Sequence, residues 1–185
     1  RTYEARKTLA QMTINQTMLK AVEVFKSGDV AAAKRLLSKI IQIEFNHPDA
    51  NSNMGAILVA SGDLEEALPF IKTALEANFS VAQHWFNYID VLFRLNKFSQ
   101  ASELLEIAKG KGCKGQAFDE LEEKLSSTEV ELKKRIQRLQ DADWSGPKGH
   151  LLPFGLGEAL QELGELEEAI EAYKKALAIK PDYAS

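Results

Sequence analysis

Gly62-Asp63-Leu64-Glu65-Glu66-Ala67 is a turn running into a helix, and near copies of it stand elsewhere in the chain. Gly28-Asp29-Val30-Ala31-Ala32-Ala33 precedes it, and Gly164-Glu165-Leu166-Glu167-Glu168-Ala169 follows. The closing alanines Ala33 and Ala67 are 34 residues apart; Ala101, which ends Asn96-Lys97-Phe98-Ser99-Gln100-Ala101, lies another 34 on, and Ala169 falls 68 beyond that. A fixed period of this kind marks a stack of supersecondary units that bury their apolar faces against each other. Glycine at the turn accepts the left-handed conformation that ends a helix, and Asn96 does the same in the third unit. Asp29 and Asp63 sit where an N-cap favours the next helix.

The residues around each turn repeat as well. One unit has Asn51, Met54-Gly55 and Leu58, then Ala67 and Ile71; the next has Trp85, Tyr88-Ile89 and Leu92, then Ala101 and Leu105. The last has Leu156-Gly157, Leu160, Ala169, Tyr173, Ala176 and Pro181, and a weaker first unit has Ala21, Val24, Gly28, Ala33 and Leu37. These residues resemble the tetratricopeptide repeat family, whose hallmark is W-x2-L-G-x2-Y, then A-x3-F, then P. The resemblance implies an all-α fold, a right-handed superhelical solenoid of antiparallel helix hairpins. Small residues such as Ala21, Gly55 and Gly157 let two helices approach closely, and the larger apolar residues fill the space between hairpins.

In this frame residues 14–183 divide into five slots of equal length. Residues 1–13 form an N-terminal helical cap, 14–115 three repeats, 116–149 a degenerate helical repeat plus loop, and 150–185 a consensus-like repeat. In the degenerate slot Phe118, Leu121 and Leu125 recur at helical spacing, and Leu132, Ile136 and Leu139 do so after Ser126-Ser127. Two readings are open there: a hairpin, or one long helix with a partly heptad-like seam. Residues 143–150, with Trp144, Gly146, Pro147 and Gly149, read as a loop and hinge.

With 45% hydrophobic and 27% charged residues, the composition is that of an ordered chain. A net charge of −4, with both signs mixed along the chain, offers no broad positive face, so neither nucleic acid nor an anionic membrane is an expected partner. Cys113 is the only cysteine and cannot form an internal disulfide, which fits a cytoplasmic location. No apolar run approaches the roughly 18 residues that would cross a bilayer. The start at Arg1 and the stop at Ser185 just after a complete motif read as a piece of a longer protein.

Several constellations invite a chemical reading and fail it. Gly110-Lys111-Gly112-Cys113-Lys114-Gly115 fits G-x-G-x-x-G, but a dinucleotide loop needs a strand before it, and residues 101–109 read as a helix. The string is expected to be a solvated turn closing that helix. His47, His84 and His150 stand at no metal-ligand spacing. Glu158, Glu162, Glu165, Glu167, Glu168 and Glu171 read as a solvated helical face, because general-acid work requires a desolvated cleft. Lys133, Lys134, Arg135 and Arg138 form a local basic stripe expected to pair with neighbouring acids. No catalytic residue, metal site or cofactor is assigned.

If hairpins stack as the resemblance implies, the first helix of each pair lines a concave groove. Residues three or four apart on those helices face it: Asn15, Leu19, Val22 and Lys26, then Ser52, Asn53, Ala56 and Ala60, then Phe86, Asn87, Asp90 and Arg94. Asn53 and Asn87 occupy equivalent places and resemble the asparagine ladder in the repeat domain of O-linked N-acetylglucosamine transferase. A side-chain amide both donates to and accepts from an extended backbone. Leu19 and Gly155 stand at this place in the first and last units, so the ladder has two rungs. The carboxylate clamp of chaperone-binding cochaperones needs lysines and arginines at positions that are mostly neutral or acidic here, and Arg94 is set to pair with Asp90 one turn away.

The function expected from these residues is a non-catalytic scaffold that binds a protein or extended peptide in its groove. A second expectation is the substrate-recruiting arm of a larger bacterial-type glycosyltransferase, sulfotransferase or methyltransferase, since Lys180-Pro181-Asp182-Tyr183-Ala184 reads like entry into another repeat. Self-association through uncapped end units is a third.

Overall fold

The structure, a computed structural model, describes the backbone of residues 2–145, 148–149 and 151–179. Among these residues every regular element is helical: α1 (Thr2–Lys26), α2 (Val30–Ile43), α3 (Pro48–Ser61), α4 (Leu64–Ala77), α5 (Ala82–Arg94), α6 (Phe98–Gly110), α7 (Gln116–Gln140), α8 (Leu151–Leu163) and α9 (Leu166–Ile179). Of residues 1–13, expected as a cap, residues 2–13 are the first part of α1 and run without interruption into the first repeat helix. The chain divides into two compact units, Arg1–Val91 and Leu92–Ser185.

One backbone hydrogen bond recurs with the sequence period and explains why the helices end where they do. Asp29 N donates to Val24 O, Asp63 to Leu58, Lys97 to Leu92 and Glu165 to Leu160, each at 2.9 Å. Such a bond across a helix C-terminus requires a residue with positive φ between donor and helix. Gly28, Gly62 and Gly164 supply it at 92°, 86° and 92°, and Asn96 supplies it at 58°. The next helix then starts from the donor residue. Asp29 caps α2 with its Oδ1, which accepts from Ala32 N at 2.8 Å, whereas Asp63 holds the N-cap position of α4 without a side-chain bond to the helix.

In the first unit α1 packs on α2, α2 on α3 and α3 on α4. The core is made by the repeat positions, with Ala33, Leu37, Ile40, Ala50, Leu58, Ala67 and Ala74 at most 1% exposed. Close approach of α3 and α4 depends on Gly55, where a Cβ would stand 2.4 Å from Ile71 Cγ1.

The position that begins the motif in two successive units does a polar job. Asn51, 1% exposed, donates from Nδ2 to the carbonyls of Phe45 (2.8 Å) and His47 (2.9 Å). Thirty-four residues on, Trp85 donates from Nε1 to Phe79 O at 2.9 Å. Phe79 is likewise 34 residues after Phe45, so two different side chains satisfy the same backbone acceptor in the link between hairpins. For Asn51→Ala we expect a loss of about 1 kcal/mol, because the buried amide's bond to the Phe45 carbonyl is lost while that exposed link can turn to water. His47 O keeps the backbone N–H of Asn51. Urea denaturation of the two proteins side by side measures the difference, and equal midpoints would refute the structural role.

The second unit departs from the tiling. Residues 116–140 form the single helix α7 of 25 residues rather than a hairpin, so of the two sequence readings the long helix is the one adopted. Nothing between Phe118 and Leu139 can end a helix: there is no glycine or proline, and Ser127 turns its Oγ to Lys124 O within the helix. Phe118, Leu121, Leu125, Leu132 and Ile136 form its buried stripe. The helix packs on α6 and α8, and α8 packs on α9. The core around Leu132, Ile136, Leu156 and Leu160 is closed by partly buried Phe98, Leu139, Trp144 and Tyr173. Trp144 donates from Nε1 to Leu139 O at 3.0 Å. Of the expected loop and hinge, Gly146, Pro147 and His150 lie outside the described residues, as do Pro181 and the rest of residues 180–185.

Candidate functional site

The groove residues expected on α1 and α3 converge in part. A cleft of about 260 Å³ opens between these helices, and Val22, Lys26, Asn53 and Ala56 line it. Ala21, Phe25, Leu37 and Ile57 complete it. The helical spacing that put Val22 and Lys26 on one face of α1 also brings Phe25 to its edge, three residues from Val22, a signal the sequence carried. Leu37 and Ala21 belong to the packing motif and serve here as floor. Asn15, Leu19, Ser52 and Ala60 do not line the cleft; Asn15 accepts from Gln11 Nε2 at 3.2 Å on its own helix, and Leu19 is 72% exposed.

Asn53 Nδ2 reaches Met18 Sδ at 3.5 Å, a weak bond to a thioether that joins α3 to α1. Its Oδ1 has no partner among the described residues. The equivalent Asn87 is half-buried on α5, where its Oδ1 accepts from Gln83 Nε2 at 2.7 Å. Phe86 and Asp90 are also half-buried on α5, and Arg94 is exposed in its last turn.

The other constellations resolve into packing and surface pairing. The glycine string closes α6: Gly112 has φ 86°, and Cys113 N donates to Ala108 O at 3.0 Å, with a helix and not a strand before it. Lys109 joins this end to α7 through Glu122 at 2.7 Å, and the carboxylate holds the ammonium above the usual lysine range. In the basic stripe Lys133 pairs with Glu129, Lys134 with Glu131 at 2.9 Å, and Arg135 with Glu158 at 3.7 Å. On the acidic face Lys174 donates to Glu171 at 2.7 Å and holds that carboxyl below its ordinary value. A general acid requires the opposite shift. Burial raises the Tyr173 phenol, with Glu158 and Glu162 adding to the effect. Among the described residues no group of three His, Cys, Asp or Glu side chains is placed to hold a metal, and no helix is long and apolar enough to cross a membrane.

His47 and His84 have structural roles. His47 caps α3, its Nδ1 accepting from Ala50 N at 3.2 Å. His84 is 6% exposed, with Nδ1 3.4 Å from Asn78 O.

Residues 24–85 and 154–183 each match a family described as tetratricopeptide repeat. No curated protein matches the chain. Among solved structures it is similar to MamA 41-end from Desulfovibrio magneticus RS-1, with 18% identity, a TM-score of 0.58, and 94% of this chain and 98% of that one covered. YrrB, described as a TPR protein with an unusual peptide-binding site, is 17% identical with a TM-score of 0.55, covering 91% and 87% of the two chains. The TPR2B domain of yeast Sti1, in a complex with pHsp70, is 20% identical with a TM-score of 0.56, covering 63% of this chain and 98% of that one. These likenesses show a shared all-helical, TPR-like solenoid fold. The two family matches, in step with the 34-residue register and the turn bond that recurs with it, identify the chain as a tetratricopeptide repeat protein over residues 24–85 and 154–183.

Proposed function

We propose that the protein is a non-catalytic scaffold that binds an extended peptide segment of a protein partner along the first helices of its repeats. The cleft between α1 and α3 carries this reading, since it gathers apolar walls and an amide on adjacent first helices. Asn53 and Asn87 stand one repeat apart, and each has an amide atom able to exchange its weak or local bond for one to a peptide backbone. Backbone contacts of this kind hold a peptide with little regard to its side chains. The fold neighbours described with a peptide-binding site and with a pHsp70 complex support the reading by analogy.

Selection from a displayed library of random peptides tests it. Peptides recovered on the protein should bind the Asn53→Ala/Asn87→Ala double variant about tenfold more weakly, the sum of two modest hydrogen bonds. Unchanged affinity for every recovered peptide would remove the groove from consideration.

A further inference from the structure

One face of α9 exposes apolar surface that the same face of an earlier repeat helix covers. Leu166, Ile170 and Leu177 are 59%, 52% and 41% exposed. At 3.6 residues per turn they fall within an arc of about 40° and form one stripe along the helix. Three periods earlier, on α4, the equivalent residues are Leu64, Leu68 and Leu75, of which the first two are half-buried and the third is 3% exposed. The repeat is thus able to bury this face, and on α9 the described residues leave it open. The stripe is not what holds α9 in place. Ala169 and Ala172, on another side of the helix, belong to the core with Leu156 and Leu160, so the stripe is free to take a partner while the unit stays folded.

The charges beside the stripe select its occupant. Glu167 and Lys174 are exposed and lie seven residues apart, two turns along one flank of it. A second helix of the same sequence laid parallel and in register would set Glu167 against Glu167 and Lys174 against Lys174. Laid antiparallel, it sets the glutamate of each copy against the lysine of the other. The same reversal brings Leu166 of each copy to Leu177 of the other and leaves Ile170 near the two-fold axis. Lys174 is held on its own helix by Glu171 at 2.7 Å, an exposed pair of the kind that gives way at little cost. Charge and apolar stripe together make the face complementary to itself, which is the requirement for a closed two-fold contact.

We infer that this face is the contact of a homodimer in which α9 lies antiparallel on α9 of a second copy of the chain. With 14 residues, α9 is about 21 Å long. One crossing of that length buries less than the roughly 1,200 Å² at which stable interfaces begin, so the dimer is a weak one, with a dissociation constant of about 10–100 μM. No residue of the α1–α3 cleft takes part, and the contact stands or falls independently of the peptide-binding reading.

Sedimentation equilibrium of the whole chain from about 1 μM to 1 mM reads the association directly. The mass should rise from one chain to two and stop there. Ile170→Lys, a change at an exposed position, should weaken association about a hundredfold, because it enters the contact twice. Glu167→Lys and Lys174→Glu should each weaken it about tenfold by setting like charges together at two places. The double variant Glu167→Lys/Lys174→Glu exchanges the signs and restores both pairs, and it should return to within about twofold of the unaltered protein. A merely structural effect of either substitution would not be rescued in this way, and Ile170→Lys decides the matter even if a charge variant misfolds. A single-chain mass at every concentration would overturn the proposal, as would a double variant that associates no better than the single ones. Association that persists in Ile170→Lys but is lost on Val22→Gln would move the contact to the α1–α3 cleft and overturn it too. Growth past two chains would mean an open, head-to-tail contact and would reject the two-fold arrangement.

Discussion

Trp85→Ala is expected to lower stability by about 3–5 kcal/mol, the cost of removing a large aromatic side chain from a closed site. The indole is 3% exposed, its ring centroid lies 5.9 Å from that of Phe79, and its N–H satisfies the Phe79 carbonyl. Alanine removes the packing and the hydrogen bond together. Trp85→Phe separates them, since it keeps most of the apolar volume and leaves the carbonyl without its donor. It should cost about 1–2 kcal/mol. Urea denaturation followed by circular dichroism gives both values, and Trp144, the other tryptophan of the chain, reports independently on the second unit through its fluorescence. A loss below 1 kcal/mol for alanine would mean that Trp85 does not anchor α5.

Gly55→Leu should cost about 3 kcal/mol, at the upper end for overpacking, because the helices have no room for it. Even the first added carbon would meet Ile71 Cγ1 at 2.4 Å, and Ile71 is only 3% exposed, so it has no solvent side to move toward. The gain of about 1 kcal/mol from replacing glycine in a helix does not offset this. Gly157 is the equivalent residue of the last repeat, and a Cβ there would stand 2.7 Å from the ring of Tyr173. That ring is only half-buried and can swing outward, so Gly157→Ala should cost less than Gly55→Ala in the same assay. Equal losses would show that the mobility of the neighbour does not govern the outcome.

The sequence disclosed most of what is periodic. The turn glycines, Asn96 in their place, the small residues between paired helices and the helical closure at Gly112 all follow from local rules that one residue type satisfies. What it left open depended on competition between local signals. Ser126-Ser127 could have broken a helix, but the apolar stripe that stops at Leu125 resumes on the same helix at Leu132, which rewards continuation, and the pair is absorbed into α7. Asp63 has the right chemistry for a cap and the right position, yet its side chain does not make the bond that Asp29 makes. The cleft was legible by half. Helical spacing puts Val22, Lys26, Asn53 and Ala56, and by the same rule Phe25, on faces that line the cleft, while that Asn15 and Leu19 lie away from it could be read only once the structure showed which turns of α1 and α3 border it.

Asn51 and Trp85 share little in size, shape or hydropathy, yet each reaches back to the same carbonyl of the preceding link. In these two units what the position supplies is a proton to give, and bulk comes second. Averaging repeats into an idealised sequence would discard that distinction, because it would score the asparagine as a defect where it is a substitute. For anyone grafting or redesigning these two units, a side-chain N–H of the right reach is the feature to keep, whereas the last repeat, with buried Pro153 at the same place, supplies none and must treat its link differently.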